Sequence, residues 1–104
     1  MTDAVLELVR FRLTPGTTSE AFLAAAAASV APLSACPGFR SRRLVHDGAG
    51  TWTDVVEWVD MASARRAAET VLTEPALAPF LALIDGASVE MAHPAIQLAQ
   101  DAGR

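Results

Sequence analysis

Three residue types that often take part in catalysis are missing from this sequence, which contains no lysine, no asparagine and no tyrosine. Without lysine there is no Schiff-base nucleophile, and without tyrosine there is neither a phenolic general acid nor a tyrosinate haem ligand. The single cysteine, Cys36, allows no internal disulfide and no cysteine-based zinc site. Several common forms of covalent and metal catalysis are therefore excluded.

Positive charge is also scarce, because eight Arg stand against twelve Asp and Glu and the formal net charge is −4. This is the wrong sign for a surface that binds phosphate backbones, so we expect no nucleic-acid partner. The N-terminus has no basic flank followed by an apolar stretch, and the Ala-rich stretch from Ala21 to Ala31 is too short to span a bilayer. We expect a cytoplasmic protein without a membrane segment. The two histidines show no metal-ligand spacing, so no metal is expected.

The 104 residues, 52% of them hydrophobic, suffice for one domain, 1–104, with a core spanning about 4–94. Alternation, caps and breakers predict six main elements. They are a strand over Ala4–Leu13, a helix from a capping box at Thr17–Glu20 to near Cys36, strands Phe39–His46 and Thr51–Val59 around the turn Asp47–Gly50, a helix Met61–Leu72, and a strand Ala87–His93. Between the last two, Pro75 and Pro79 predict a break followed by a further helical turn or two that ends at Ile84-Asp85-Gly86.

The order βαββαβ with right-handed crossovers predicts an α+β, ferredoxin-like fold, in which a four-stranded antiparallel sheet carries both helices on one face. The pairs Val5-Leu6, Leu8-Val9 and Val55-Val56 place apolar side chains on both faces of the two central strands. A face left in water would forgo several kcal/mol of burial in a domain whose whole stability is on the order of 10 kcal/mol. We therefore expect a homodimer.

Several local sequences resemble a known family. They are the end of the first strand over 10–16, the junction Pro37-Gly38-Phe39, the exit Glu57-Trp58-Val59-Asp60 and the Ala- and Arg-rich helix that follows. Together they resemble the dimeric α+β barrel superfamily and, within it, the antibiotic-biosynthesis-monooxygenase branch. The resemblance implies a dimeric barrel and a function among cofactor-free oxygenases, haem-degrading enzymes, lactone isomerases and polyketide cyclases. The fold does not select among these.

Haem is not expected as a cofactor. In haem-degrading members of the superfamily, the positions that carry Asn, Trp and His correspond here to Val9, Ala67 and Phe80, all apolar. The second helix contains no histidine that could bind iron. Because this sequence departs from the haem-degrading members at these positions, we expect no cofactor.

Strand parity groups the candidate catalytic residues, because alternate residues share a face. Glu7 lies with Val9 on strand one, Glu57 with Val55 on strand three, and His93 with Met91 on strand four. If these sets share the helix side, they predict that Glu7, Glu57 and His93 form an acid–base set in an apolar pocket lined by Val9, Met91 and Phe80. The alternative is that arginines at a dimer interface balance both glutamates.

The opposite parity of strand three offers a second candidate site. Trp52 and Trp58 with Asp54 between them predict a clamp for a flat aromatic substrate. A cross-strand ion pair between Asp54 and Arg10 or Arg12 would explain the same carboxylate without a ligand.

These observations support two functional hypotheses. In the first, the protein is a small homodimeric monooxygenase that needs no cofactor, or a cyclase or isomerase, and deprotonates a hydrophobic aromatic or polyketide-like substrate with His93 as base. In the second, it is a non-catalytic dimer that binds a small molecule in the same cavity.

Overall fold

The computed structural model describes residues 3–103, and the predicted order βαββαβ is confirmed. The elements are β1 (Val5–Phe11), α1 (Ser19–Ser34), β2 (Phe39–His46), β3 (Trp52–Trp58), α2 (Met61–Thr73), a 3-10 turn (Pro75–Leu77), α3 (Ala78–Ala82), a second 3-10 turn (Gly86–Ser88) and β4 (Glu90–Ala92). Within residues 3–103, every helix is too short or too polar to cross a lipid bilayer.

The strands form one antiparallel sheet in the order β2-β3-β1-β4, which is the ferredoxin-like arrangement predicted from the sequence. The β2–β3 hairpin turns where Gly48 and Gly50 adopt φ angles of +79° and +93°, which side chains other than glycine rarely take. The Asp47 carboxylate accepts hydrogen bonds from the backbone N–H groups of Ala49 and Thr51 and closes the turn.

The N-cap of the first helix lies one residue later than predicted. Thr18 is the N-cap, and its hydroxyl accepts a hydrogen bond of 3.1 Å from the backbone N–H of Ala21. The predicted capping box of Thr17 and Glu20 is therefore wrong, since the third residue after the true cap is an alanine. Pro32 lies inside the last turn, and the helix ends at Ser34.

The second half of the chain follows the prediction with one correction, at β4. Asp60 caps α2 by accepting from the Ser63 backbone N–H at 2.8 Å, and the predicted break is present between Thr73 and Pro75, followed by further helical turns up to Ala82. β4 is shorter than predicted, because Gly86–Ser88 forms a 3-10 turn instead of strand. Beyond β4 the chain stays hydrogen-bonded to β1, because the Pro94 carbonyl accepts from the Leu6 N–H at 3.0 Å, a bond that requires no N–H from the proline.

All helices pack on one face of the sheet, called here the helix side. Directly opposite residues of paired strands share a face, and β1 pairs with β3 so that Val5 faces Trp58 and Phe11 faces Trp52. These four side chains are buried in two clusters, one around Trp58 under α2 and one around Phe22 of α1. The other face, called the open side, carries half-buried Leu6, Leu8 and Val55 and no helix from residues 3–103.

Candidate functional site

The strand register corrects the predicted grouping of the acidic residues. Glu7 lies opposite Val56, whereas Glu57 lies opposite Leu6 on the open side of the sheet. The Glu57 carboxylate is 3.4 Å from a terminal nitrogen of Arg40 on the neighbouring β2 strand. The expectation that Glu57 shares a face with Glu7 and His93 is therefore wrong. Arg40 of the same chain balances Glu57, which agrees with the alternative interpretation for this one glutamate, whereas Glu7 contacts Trp58 and His93.

The other two members of the predicted set do meet. His93 Nε2 is 3.3 Å from Glu7 Oε2, and the indole N–H of Trp58 donates to Glu7 Oε1 across 3.3 Å. β1 and β3 bring Glu7 and Trp58 together, and the segment after β4 continues along β1 and brings His93 to the same place. The Glu7 side chain is 13% exposed and that of His93 28%, so the carboxylate is nearly enclosed while the imidazole still reaches solvent.

These contacts determine which nitrogen of His93 is available as a base. A carboxylate can only accept hydrogen bonds, so the bond between Glu7 and His93 requires the proton on Nε2. The indole N–H of Trp58 is the second donor to the same carboxylate. The lone pair of the neutral imidazole is then on Nδ1. A carboxylate that fixes the tautomer and stabilises the imidazolium is the arrangement that general-base histidines use in hydrolases.

A second polar group lies on the helix side, at the centre of the sheet. Arg42 of β2 donates from Nε to Asp54 Oδ1 at 2.9 Å and from Nη2 to Asp54 Oδ2 at 2.8 Å. Its Nη1 donates to the Ser29 hydroxyl of α1 at 2.7 Å, and its guanidinium lies 5.3 Å from the ring centre of Phe80. Asp54 is therefore paired, as its structural interpretation required, but with Arg42 and not with Arg10 or Arg12.

The predicted aromatic clamp is not assembled. Trp52 and Trp58 stand at opposite ends of β3, about 20 Å apart along a strand of this length. Trp52 packs edge-on against Phe22 with ring centres 4.9 Å apart, and Trp58 packs in the same way against Phe39 at 5.7 Å. The two indoles belong to different core clusters and cannot close on one flat molecule.

The apolar residues predicted to line a substrate pocket share the helix side but differ in exposure. Val9 is half-buried against the cluster around Phe22, and Phe80 is buried within that cluster and stacks on Phe22. Met91 lies directly opposite Val9 on β4 and is 53% exposed. Substrate contact by Val9, Met91 and Phe80 stays a prediction.

The residues that sequence reasoning missed are Arg42 and Ser29. Arg42 belongs with Arg40 and Arg43 to a basic cluster on the edge strand β2, where arginines are usually solvated, but its side chain is only 11% exposed. The hairpin turn could have indicated its position, because the turn sets the register in which Leu44 pairs with Asp54. Arg42 is two residues from Leu44 and therefore lies on the same face as the Asp54 carboxylate. Ser29 gave no signal, since a serine within an alanine-rich helix is usually solvated.

Comparison with known proteins supports the fold. Neither a comparison with protein-family models nor one with curated proteins yields a match to this sequence. Among solved structures, SnoaB, a cofactor-independent oxygenase from Streptomyces nogalater, superposes with a TM-score of 0.64 at 24% identity, covering 96% of this chain and 97% of its own. A candidate antibiotic biosynthesis monooxygenase from Chloroflexus aurantiacus gives a TM-score of 0.69 at 20% identity, with 96% and 99% of the two chains covered.

A third structure extends the comparison to a more distant protein. A dimeric ferredoxin-like protein of unknown function from Jannaschia superposes with a TM-score of 0.65 at 11% identity, covering 89% of this chain and 99% of its own. The resemblance to antibiotic-biosynthesis-monooxygenase-like proteins is thus confirmed at the level of the fold.

Proposed function

We propose that the protein is a small homodimeric monooxygenase that uses no cofactor and acts on a hydrophobic aromatic or polyketide-like substrate. The observation that carries this proposal is the Glu7 carboxylate held between Trp58 and His93 on the helix side of the sheet. The fold shared with SnoaB, a cofactor-independent oxygenase, supports the same reaction class.

In the proposed reaction, His93 removes a proton from an activated carbon or a phenol, and the resulting anion reacts with dioxygen. For an anthrone, the ring methylene becomes a carbonyl. Two C–H bonds and the O–O bond break, one oxygen atom stays in the new carbonyl, and the other leaves as water with both hydrogens. Four electrons pass from the carbon to dioxygen, so the reaction balances without a further reductant. Cyclisation or isomerisation would share the first proton transfer.

Glu7 and Trp58 act in this proposal as positioning residues. Glu7 keeps the His93 proton on Nε2 and stabilises the imidazolium that forms when Nδ1 takes the substrate proton. The indole of Trp58 fixes the other carboxylate oxygen, and this indole is 1% exposed, so it supports Glu7 from the core without touching solvent. Glu57 has no part, because it lies on the opposite face.

Oxygen uptake with anthrone and a panel of dihydroxynaphthalenes tests the proposal. His93→Ala should lower turnover by about 10² to 10⁴, the usual contribution of a positioned general base. Glu7→Gln should also lower turnover, because an amide offers one acceptor oxygen to two donors, and it should change the His93 tautomer ratio measured by ¹⁵N NMR. Glu57→Gln is the matched control and should leave turnover unchanged.

A specific result would favour the non-catalytic alternative. If no oxygen is consumed above the uncatalysed rate while the same compounds saturably quench the fluorescence of Trp52 or Trp58, the protein binds such molecules without converting them. If oxygen is consumed but His93→Ala keeps full specific activity, His93 is not the base.

The proposed dimer uses the open side of the sheet. Leu6, Leu8 and Val55 lie side by side there and are only half-buried within a single chain. Covering such a face recovers about 25 cal/mol for each Å² of apolar surface, and the sheets of two copies can cover each other symmetrically. Sedimentation equilibrium at micromolar concentration should give about twice 10.9 kDa. A well-folded monomer of 10.9 kDa would refute this part of the proposal.

A further inference from the structure

A groove runs between α1 and the edge strand β2, away from the Glu7 and His93 site. One wall is a stripe of α1 that includes Leu23, Ala27 and Val30, and the other wall is formed by helix-side residues of β2, among them Arg42 and Leu44. The groove has a volume of about 390 Å³, within the range of small-molecule sites. The stripe from Leu23 to Ser34 is about 16 Å long at the rise of an α-helix.

The walls of the groove are apolar but remain in contact with solvent. Leu23 and Val30 are 51% and 57% exposed, although both lie on the side of α1 that faces the sheet edge. β2 is the last strand of the sheet within residues 3–103, so no neighbouring strand covers this flank. The proposed dimer would bury the open side and leave the groove accessible, because the groove lies on the helix side.

Arg42 provides one fixed polar group in this apolar surface. Its guanidinium has five N–H groups, and three of them are bonded to Asp54 and Ser29. Each terminal nitrogen therefore keeps one N–H that no acceptor within residues 3–103 bonds. The bidentate contact with Asp54 and the Phe80 ring hold the guanidinium in place, so the free donors are oriented before a ligand arrives.

The same ion pair determines the charge of the ligand. Asp54 already neutralises Arg42, and both side chains are about nine-tenths buried. An anionic ligand would bring an additional charge next to the Asp54 carboxylate, whereas a carbonyl or hydroxyl oxygen can accept from Arg42 without one. We infer that this groove binds a neutral, largely apolar molecule that carries one hydrogen-bond acceptor, with Arg42 as the donor. This inference does not depend on the proposed oxygenase activity.

Three matched naphthalenes test the inference by calorimetric titration. 2-Acetylnaphthalene carries a carbonyl acceptor, 2-ethylnaphthalene has a similar shape without one, and 2-naphthoate is an anion. The ketone should bind about tenfold or more tightly than the hydrocarbon, since the hydrogen bond to a charged donor is lost in the latter. It should also bind more tightly than the carboxylate. Equal affinity for ketone and hydrocarbon, tightest binding of 2-naphthoate, or no binding of the ketone up to its solubility would overturn the inference.

Two variants of exposed alanines on α1 locate the binding. Ala27→Phe fills the groove and should weaken ketone binding about tenfold or more, whereas Ala28→Phe adds the same ring outside the groove and should not. In the wild-type protein, the ketone should move the amide NMR signals of Val30 and Leu44. Signals that move at Glu7 instead, or equal affinities of the two variants, would assign the ligand to another site and overturn the inference.

Discussion

Replacing Asp54 by asparagine should destabilise the protein more than most surface substitutions, because it leaves a buried arginine charge without its partner. The carboxylate makes two bonds to Arg42, at 2.9 and 2.8 Å, and the two side chains are 11% and 10% exposed. Asparagine keeps one acceptor oxygen and turns an amino group toward the second guanidinium N–H. Removing one partner of such a buried pair costs about 3–5 kcal/mol.

Urea unfolding, followed by tryptophan fluorescence and circular dichroism at one fixed protein concentration, measures this loss. With a slope of about 1–1.5 kcal/mol per M for a domain of this size, the Asp54→Asn midpoint should fall by about 2 M or more. The fixed concentration matters because dimerisation adds to the apparent stability. The control is Arg42→Met combined with Asp54→Leu, which removes both charges and should lie within about 2 kcal/mol of the wild type.

Two results would refute this reasoning about the ion pair. One is a loss below about 1 kcal/mol for Asp54→Asn, which would mean that water reaches Arg42 and screens its charge. The other is a double variant that is less stable than Asp54→Asn. The attraction between Arg42 and Asp54 would then exceed the free-energy cost of removing both charges from water, and the ion pair itself would stabilise the fold.

Three further changes test other parts of the fold. Gly38→Ala should lower the free energy of unfolding by at least about 2 kcal/mol, and Gly16→Ala by only about 1 kcal/mol. Both glycines have φ above +80°, but only at Gly38 would a Cβ overlap the Ser63 side chain. Thermal melts of the two variants measure the difference. Hydrogen bonds from the Ser63 hydroxyl and then from its backbone N–H lower the pKa of Asp60 below its ordinary value of 3.8. The Asp60 cap therefore stabilises α2 fully above about pH 3.8, and this stabilisation is lost as the pH falls through the lower pKa of the folded protein. The stability difference between wild type and Asp60→Asn should therefore shrink from about pH 5 to about pH 2, and a constant difference would contradict this. Burial raises the pKa of the Cys36 thiol, so iodoacetamide should modify it more slowly in the native protein than in urea; equal rates would show that the thiol is accessible.

Most element boundaries were predictable because local signals determine them. The glycines at 48 and 50 fix the hairpin turn, and Asp60 caps the start of α2. Even the exact bounds of β2 follow from the flanking Pro37-Gly38 and the turn. The cap of α1 was misplaced because Thr17 and Thr18 are both good caps, and only the three-dimensional contact of Thr17 with Thr14 distinguishes them.

The face of β3 was harder to predict, because it depends on register with β1 and not on either strand alone. Parity correctly separated Trp52, Asp54 and Trp58 from Glu57, but a shift of one residue in the pairing exchanges the two sets. The deciding factor is the size of the buried side chains: burying two indoles removes far more apolar surface from water than burying Val55. Asp54 lies on the same face as the two tryptophans and can be buried there because Arg42 pairs with its carboxylate.

The candidate site was predictable only in part, because some of its contacts depend on strand order and others on strand register. Glu7 and His93 were grouped correctly because β1 and β4 are direct neighbours in a ferredoxin-like sheet. The hydrogen bond from Trp58 to Glu7 depends on the β1–β3 register. Alternation within each strand could not reveal this register, and Trp58 was therefore predicted on the face opposite to Glu7.

The hairpin also has a consequence for the order in which the chain folds. Arg42 and Asp54 are only 12 residues apart, and both lie within the β2–β3 hairpin, whereas Trp58 and its partner Glu7 on β1 are separated by 51 residues. Closing the shorter loop costs less chain entropy and takes microseconds, so we expect the hairpin to form before β1 joins it. The arginine and the carboxylate can then be paired while still in water, and α1 covers a pair that is already neutral. The chain thereby avoids burying either charge alone on its way to the native state.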